Sequence, residues 1–155
     1  MVQRQAFEVF ADYHQFYLWD PTVADLAPLE YTAEEVRQRI KVGRNFVVFQ
    51  PARNMTVPVE VEVHDADPGF DSALWDHIAE ASLNLPTGHL QVDECTGGTV
   101  AQFAVTPGWY RVRCLHGGLG TLSANALEGR DHYRAVLWPA PAADVRVVKQ
   151  WTRDE

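Results

Sequence analysis

Between Asn54 and Tyr110 the chain has no lysine and no arginine, yet that stretch carries Glu60, Glu62, Asp65, Asp67, Asp71, Asp76, Glu80, Asp93 and Glu94. Nearly all of the formal net charge of -8 arises there, because the flanks are close to balance. A segment of one sign cannot neutralise its own field locally and projects negative potential wherever the fold exposes it. Nucleic acid is disfavoured as a partner, since holding phosphates needs clustered cations. A basic protein surface, a divalent cation, or a merely solvated acidic face remain open.

Other absences narrow the class further. No run of about 18 apolar residues is present, so no membrane-spanning helix is expected. The opening Met-Val-Gln-Arg-Gln-Ala-Phe-Glu lacks the apolar stretch of a secretory signal. With only Cys95 and Cys114, a reduced, cytoplasmic protein is the expectation, and a disulfide between them stays open should adjacent strands bring them together. The histidines, His14, His64, His77, His89, His116 and His132, show no HxH or HExxH spacing, and the cysteines form no CxxC. Neither a metal site nor a cofactor is therefore expected. There is no GxSxG and no GxxxxGK[ST]. Ser72 and Ser82 lie among carboxylates that would oppose alkoxide formation. No catalytic residue is assigned, and the chain leans away from an enzyme. A hydrolase built on paired carboxylates or a histidine survives only as a third reading, because separation in sequence does not report separation in space.

What is present is a chain of 155 residues, 46% apolar and 22% charged, enough for one domain over residues 1–155 with its own core. Its dominant pattern is period-two alternation in short runs, broken by Gly, Pro and Asp. Val57, Val59, Val61 and Val63 alternate with Glu60 and Glu62, which predicts a half-buried strand with its carboxylates facing water or a partner. Tyr13, Gln15, Tyr17 and Trp19 are expected on one strand face, with His14, Phe16 and Leu18 on the other. Asn45–Gln50, His89–Val92, Thr99–Val105, Trp109–Leu115, His132–Trp138 and Asp144–Trp151 are further strand-length runs. Thr32 followed by Glu35 matches a capping box, predicting one short helix near Ala33–Lys41 ended by Gly43. For Asp71–Leu83 a strand from about Asp76 is preferred to a helix. Many short strands and no βαβ alternation indicate an all-β, antiparallel two-sheet sandwich.

Two ligand readings accompany this pattern. Asp65-Ala66-Asp67-Pro68-Gly69, with Asp71 and Asp76 beyond it, resembles the start of a calcium loop, although Gly69 stands where an oxygen ligand belongs. Trp19, Trp75, Trp109, Trp138 and Trp151 raise sugar stacking, but they are scattered one per strand. A carbohydrate- or calcium-binding module is the alternative function.

Tyr13-His14-Gln15-Phe16 near the N-terminus resembles the opening of the competence protein J family, inhibitors of a bacterial DNA-entry nuclease. Tyr31-Thr32-Ala33-Glu34-Glu35, the strand Val57–Val63, the turn Leu85–Gly88 and the run Gly108–Cys114 are similar in the same order. The resemblance implies a small β-sandwich that binds and blocks a bacterial nuclease or toxin. Its partner would be a basic protein rather than nucleic acid or membrane. The contact set expected from the acidic segment is Glu60, Glu62, Asp65, Asp67, Asp71 and Asp76.

Overall fold

The computed structural model describes residues 2–23 and 30–152. The elements run β1 (Gln3–Phe10), β2 (Phe16–Trp19), α1 (Ala33–Gln38), β3 (Ile40–Gly43), β4 (Phe46–Phe49), β5 (Thr56–Val63), β6 (His77–Leu85), β7 (His89–Glu94), β8 (Thr99–Ala104), β9 (Gly108–Gly117), β10 (His132–Pro139) and β11 (Arg146–Lys149). They form two layers: a six-stranded sheet ordered β1-β5-β10-β9-β6-β11 and a five-stranded sheet ordered β3-β4-β2-β7-β8. The sandwich is as expected, with one departure: β5 and β10 pair in parallel, Val59 opposite Tyr133 and Val63 opposite Leu137. Alternation within each strand reports burial but not the direction of its neighbour.

The valine repeat of β5 does what its spacing predicts. Val57, Val59, Val61 and Val63 turn inward against Leu90, Phe103, Leu83 and the stacked rings of Phe16 and Phe49 in one continuous core. On the β1 side the layers are joined by side chains. Gln3 and Gln5 donate through Nε2 to the carbonyls of Ala104 and Gln102 at 2.8 and 2.9 Å. These bonds occupy acceptors on the β8 edge that would otherwise be available to another strand.

Several local expectations change. Residues 13–19 are not one strand: Asp12–His14 make a 3-10 turn, with Tyr13 at φ 59° and His14 at φ 57°. Left-handed backbone costs roughly 1–2 kcal/mol per non-glycine residue. It swings Tyr13 into solvent and leaves His14 exposed rather than on an apolar strand face. The helix is capped as expected, Thr32 Oγ1 accepting from Glu35 N–H at 3.0 Å and Glu35 Oε1 from Thr32 N–H at 2.8 Å. It ends at Gln38, however, with Arg39 rather than Gly43 adopting the left-handed terminating conformation. Residues 77–85 are strand, as preferred. Cys95 and Cys114 are both free: Cys114 faces the core and Cys95 packs beside Tyr17 on the other sheet's outer side.

Two histidines far apart in sequence meet in the core. His77 and His116 lie opposite each other on β6 and β9, their rings perpendicular at 5.1 Å. His116 is wholly buried against Phe49 and Tyr133, and neither of its ring nitrogens has a hydrogen-bond partner among the described residues. His77 Nδ1 accepts from Trp151 N–H at 3.2 Å, so its proton is on Nε2, directed at the Gln38 carbonyl 2.8 Å away. Burial holds His77 down at about 4 and His116 well below its ordinary value, with the charge of Arg39 adding to both.

In the unfolded chain both imidazoles take up a proton near pH 6.5, whereas in the folded chain they do so only at lower pH. Stability should therefore be fully present above pH 6.5 and fall as pH drops toward 4, by up to about 1.4 kcal/mol per pH unit for each histidine. Urea unfolding at pH 7, 6 and 5 checks the slope. His116→Phe should remove about half of it.

Candidate functional site on the outer face of the six-stranded sheet

A sheet with one face in the core leaves the other to be solvated or covered. Here β5 ends beside Leu137, where His64 N–H donates to the Leu137 carbonyl at 2.8 Å, while β6 begins beside His116 at the opposite end. The connection, residues 64–76, has to cross the outer face lengthwise. It does so as a strap over a second, small core of Trp75, Ile78, Leu115, Val136 and Trp138. Trp75 and Trp138, separate in sequence, are brought together there.

Arg113 on β9 is the strap's main anchor. Its guanidinium donates from Nη1 and Nη2 to the two oxygens of Asp67 at 2.9 and 3.0 Å, and from Nε to Glu80 at 2.8 Å. It lies between the rings of Phe70 and Trp138, 4.3 and 4.6 Å from their centroids. Burial alone would lower the Arg113 pKa; the bonds to Asp67 and Glu80 outweigh it and raise the value instead. The rest of the strap is tied as firmly. Gly69 adopts φ 75°, and its N–H donates to Asp67 Oδ1 at 2.8 Å. Asp71 caps the turn Ser72–Leu74, and Lys149 Nζ donates to the carbonyls of Ser72 and Trp75 at 2.9 and 2.8 Å. Asp76 Oδ2 accepts from Leu119 N–H at 2.8 Å. On this fixed backbone residues 65–74 are all exposed, with Leu74 at 68% and Phe70 at 40%.

Beside the strap, Glu60 and Glu62 project side by side from β5. Arg4 and Arg134 approach both from the neighbouring strands, with Nε–O separations of 3.3 to 3.6 Å. His64 Nε2 lies 2.8 Å from Glu62. Burial would raise the Glu62 carboxyl, but the bonds from Glu60 and His64 and the two arginine charges hold it down at about 2. The Glu60 carboxyl moves the other way, raised by the hydrogen bond to Glu62 and by burial.

The six carboxylates expected to act as one contact set thus have three different settings. Asp65, Asp67 and Asp71 lie along the exposed strap. Glu60 and Glu62 sit in an arginine array on the sheet, Glu62 only 8% exposed, and Asp76 holds the strap's far end. The acidic segment is neutralised in good part by Arg4, Arg111, Arg113 and Arg134, all from outside it in sequence. The calcium reading loses its geometry, since Asp67, Asp71 and Asp76 are spent on different protein donors. Among the described residues no three His, Cys, Asp or Glu converge as a metal site would require. For sugar stacking, Trp109 is 47% exposed and lines a depression of about 410 Å³ with Val42, Ser82 and Asp144, without a second ring. The arginines were missed as site residues; the excess of bases after Tyr110 was the one trace of Arg111, Arg113 and Arg134 in the sequence, and Arg4 left none.

No known family and no curated protein matches the chain. Among solved structures it is similar to ComJ, inhibitor of the DNA degrading activity of NucA, from Bacillus subtilis. The TM-score is 0.71 at 13% identity, covering 90% of this chain and 99% of ComJ. The chain has the ComJ fold. It is also similar to the product of crocagin biosynthetic gene J, with a TM-score of 0.58 at 20% identity over 91% of this chain and 98% of that one. The resemblance carried by Tyr13-His14-Gln15-Phe16 therefore holds at the level of fold, although that tetrapeptide is a turn entering β2 and not a strand. Among the described residues no helix is long and apolar enough to cross a membrane.

Arg113→Met should destabilise the protein by about 3–5 kcal/mol, because Glu80 is left buried without its closest cation. Asp67→Asn should cost no more than about 1 kcal/mol, since that carboxylate is half exposed. Urea unfolding of both variants at pH 7 checks the contrast.

Proposed function

We propose that this chain is a non-enzymatic inhibitor that docks on a bacterial nuclease or nuclease-type toxin in the cytoplasm through the strap. The observation that carries the reading is the likeness to ComJ over 90% of the chain. The strap's chemistry supports it. Asp65 and Asp71 present carboxylates on a stretch without a lysine or arginine, Asp67 adds one that is half exposed but already paired to Arg113, and Phe70 and Leu74 supply apolar area between and beside them. A nuclease groove holds phosphates with cations, so a carboxylate-bearing surface is electrostatically complementary to it. Such complementarity speeds encounter and selects the partner more than it adds affinity. Affinity would come from Leu74 and Phe70, desolvated at the centre of the contact. The tethers at Asp67, Asp71 and Lys149 hold the strap in one conformation before contact, which lowers the ordering cost of binding.

Of the six expected contact residues, Asp65, Asp67 and Asp71 face the partner in this reading, and Glu60 lies at the edge of the contact. Glu62 serves the arginine array on the sheet and Asp76 the strap's own geometry.

Affinity capture from the native lysate at low salt, followed by a DNA-degradation assay of any nuclease recovered, tests the proposal. Stoichiometric loss of the nuclease's activity is expected. Asp65→Asn with Asp71→Asn should weaken binding about tenfold and flatten its salt dependence. Leu74→Ser should weaken it by a similar factor at all salt concentrations. Capture that repeatedly returns no nuclease, or inhibition untouched by all three substitutions, would sink it.

A further inference from the structure

Away from the strap, at the end of the sandwich where α1 meets β4, His14, Val36, Arg39, Gln50, Pro51 and Ala52 line a depression of about 230 Å³. Arg39 is unusual among the described arginines. The other half-buried or buried ones, Arg53, Arg111, Arg113 and Arg134, each have a carboxylate within 4 Å. Arg39 has no carboxylate and no hydrogen-bond acceptor among the described residues, and its Nε is sealed from solvent. Among the described residues the face of Trp151 lies 5.2 Å from its guanidinium carbon. Burial lowers its pKa, the direction expected of a desolvated cation lacking an anion. Beneath it are His77 and His116, which offer no negative charge.

The surroundings fit a protein segment better than a free anion. Gln50 Nε2 already donates to the Glu35 carbonyl at 3.3 Å, and His14 Nδ1 lies 3.3 Å from the Pro51 carbonyl, so a small anion would find one strong donor. The lining is in good part apolar, with Val36, Pro51 and Ala52, and Val36 is 55% exposed. Among the described residues five non-glycines have positive φ, and His14 and Arg39, both in this lining, are two of them. Backbone held in sparsely populated conformations accumulates where side chains must be presented in a set direction. A lone cation in a chain of net charge -8 is no site for a polyanion such as nucleic acid.

We propose that this depression is a second docking surface, taking an Asp or Glu side chain of a protein partner onto Arg39, with a flanking apolar residue packed on Val36. An arginine fork suits a carboxylate, and the half-desolvated setting strengthens the pair. The inference stands apart from the nuclease reading, since it uses neither the strap nor the ComJ likeness.

The test is an NMR titration of the ¹⁵N-labelled protein with three probes: Ac-Leu-Glu-Leu-NH₂, Ac-Leu-Gln-Leu-NH₂ and inorganic phosphate. The Glu peptide should shift the Arg39 Nε–H and the Val36 and Ala52 signals saturably, with a Kd at least tenfold below those of the other two. Arg39→Gln should erase that difference. Val36→Ser, on the exposed rim where the fold is not at stake, should weaken the Glu peptide at least threefold. Equal binding of phosphate would make this a small-anion site, and equal binding of the Gln peptide a merely apolar one; either overturns the proposal. So does absence of any response. Movement of the same signals with protein concentration alone would assign the surface to a second copy and overturn it too.

Discussion

The outer face of the six-stranded sheet depends on a single guanidinium. Arg113 is buried, and a buried cation survives only if its donors and its charge are both answered. Glu80 answers from the next strand, Asp67 from the strap, and Phe70 and Trp138 close over the two faces. The connection from β5 to β6 could have been a loose excursion over the sheet. Because Arg113 needs Asp67, it is drawn against the sheet instead, and the small core around Trp75 and Trp138 closes beneath it. Capping by Asp71 and the reach of Lys149 then fix the part of the strap that Arg113 does not touch.

This arrangement separates two uses of negative charge that the sequence presents as one. Glu60, Glu62 and Glu80 work inside the molecule, holding arginines that come from β1, β9 and β10. Asp65 and Asp71 ride on the strap's exposed side, and Asp67 does both, half exposed while holding Arg113. Net charge treats these groups alike, but their availability to a partner differs. Spending Glu62 on an outside protein would strand Arg4 and Arg134, whereas Asp71 gives up only a cap. At Arg39, by contrast, no carboxylate among the described residues answers a half-buried cation.

Sequence reasoning succeeded where one period decided the outcome. The Val57–Val63 repeat, the capping box at Thr32 and Glu35, and the strand from His77 were readable because each depends on residues within a few positions. Failure came where a local pattern was ambiguous or overridden. Residues 13–19 alternate as a strand should, yet the turn at Tyr13 and His14 breaks them, a choice made by tertiary packing against backbone preference. Gly43 was the obvious helix stop, but Arg39 took the left-handed position because the chain had to begin β3 at Ile40. The site suffered most. The carboxylates were visible as a cluster, while Arg4, Arg111, Arg113 and Arg134 were invisible as their partners.

What the sequence alone determined is the β-sandwich class, the valine face of β5 and the one-signed charge of the middle third, since these follow from period and composition. Tertiary structure decided the rest: the parallel pairing of β5 with β10, the meeting of His77 with His116, and which carboxylates remain outward. The physical reason is range. A period acts through neighbours two to four residues apart, whereas the Asp67–Arg113 pair spans 46 positions and exists only once four strands have placed it.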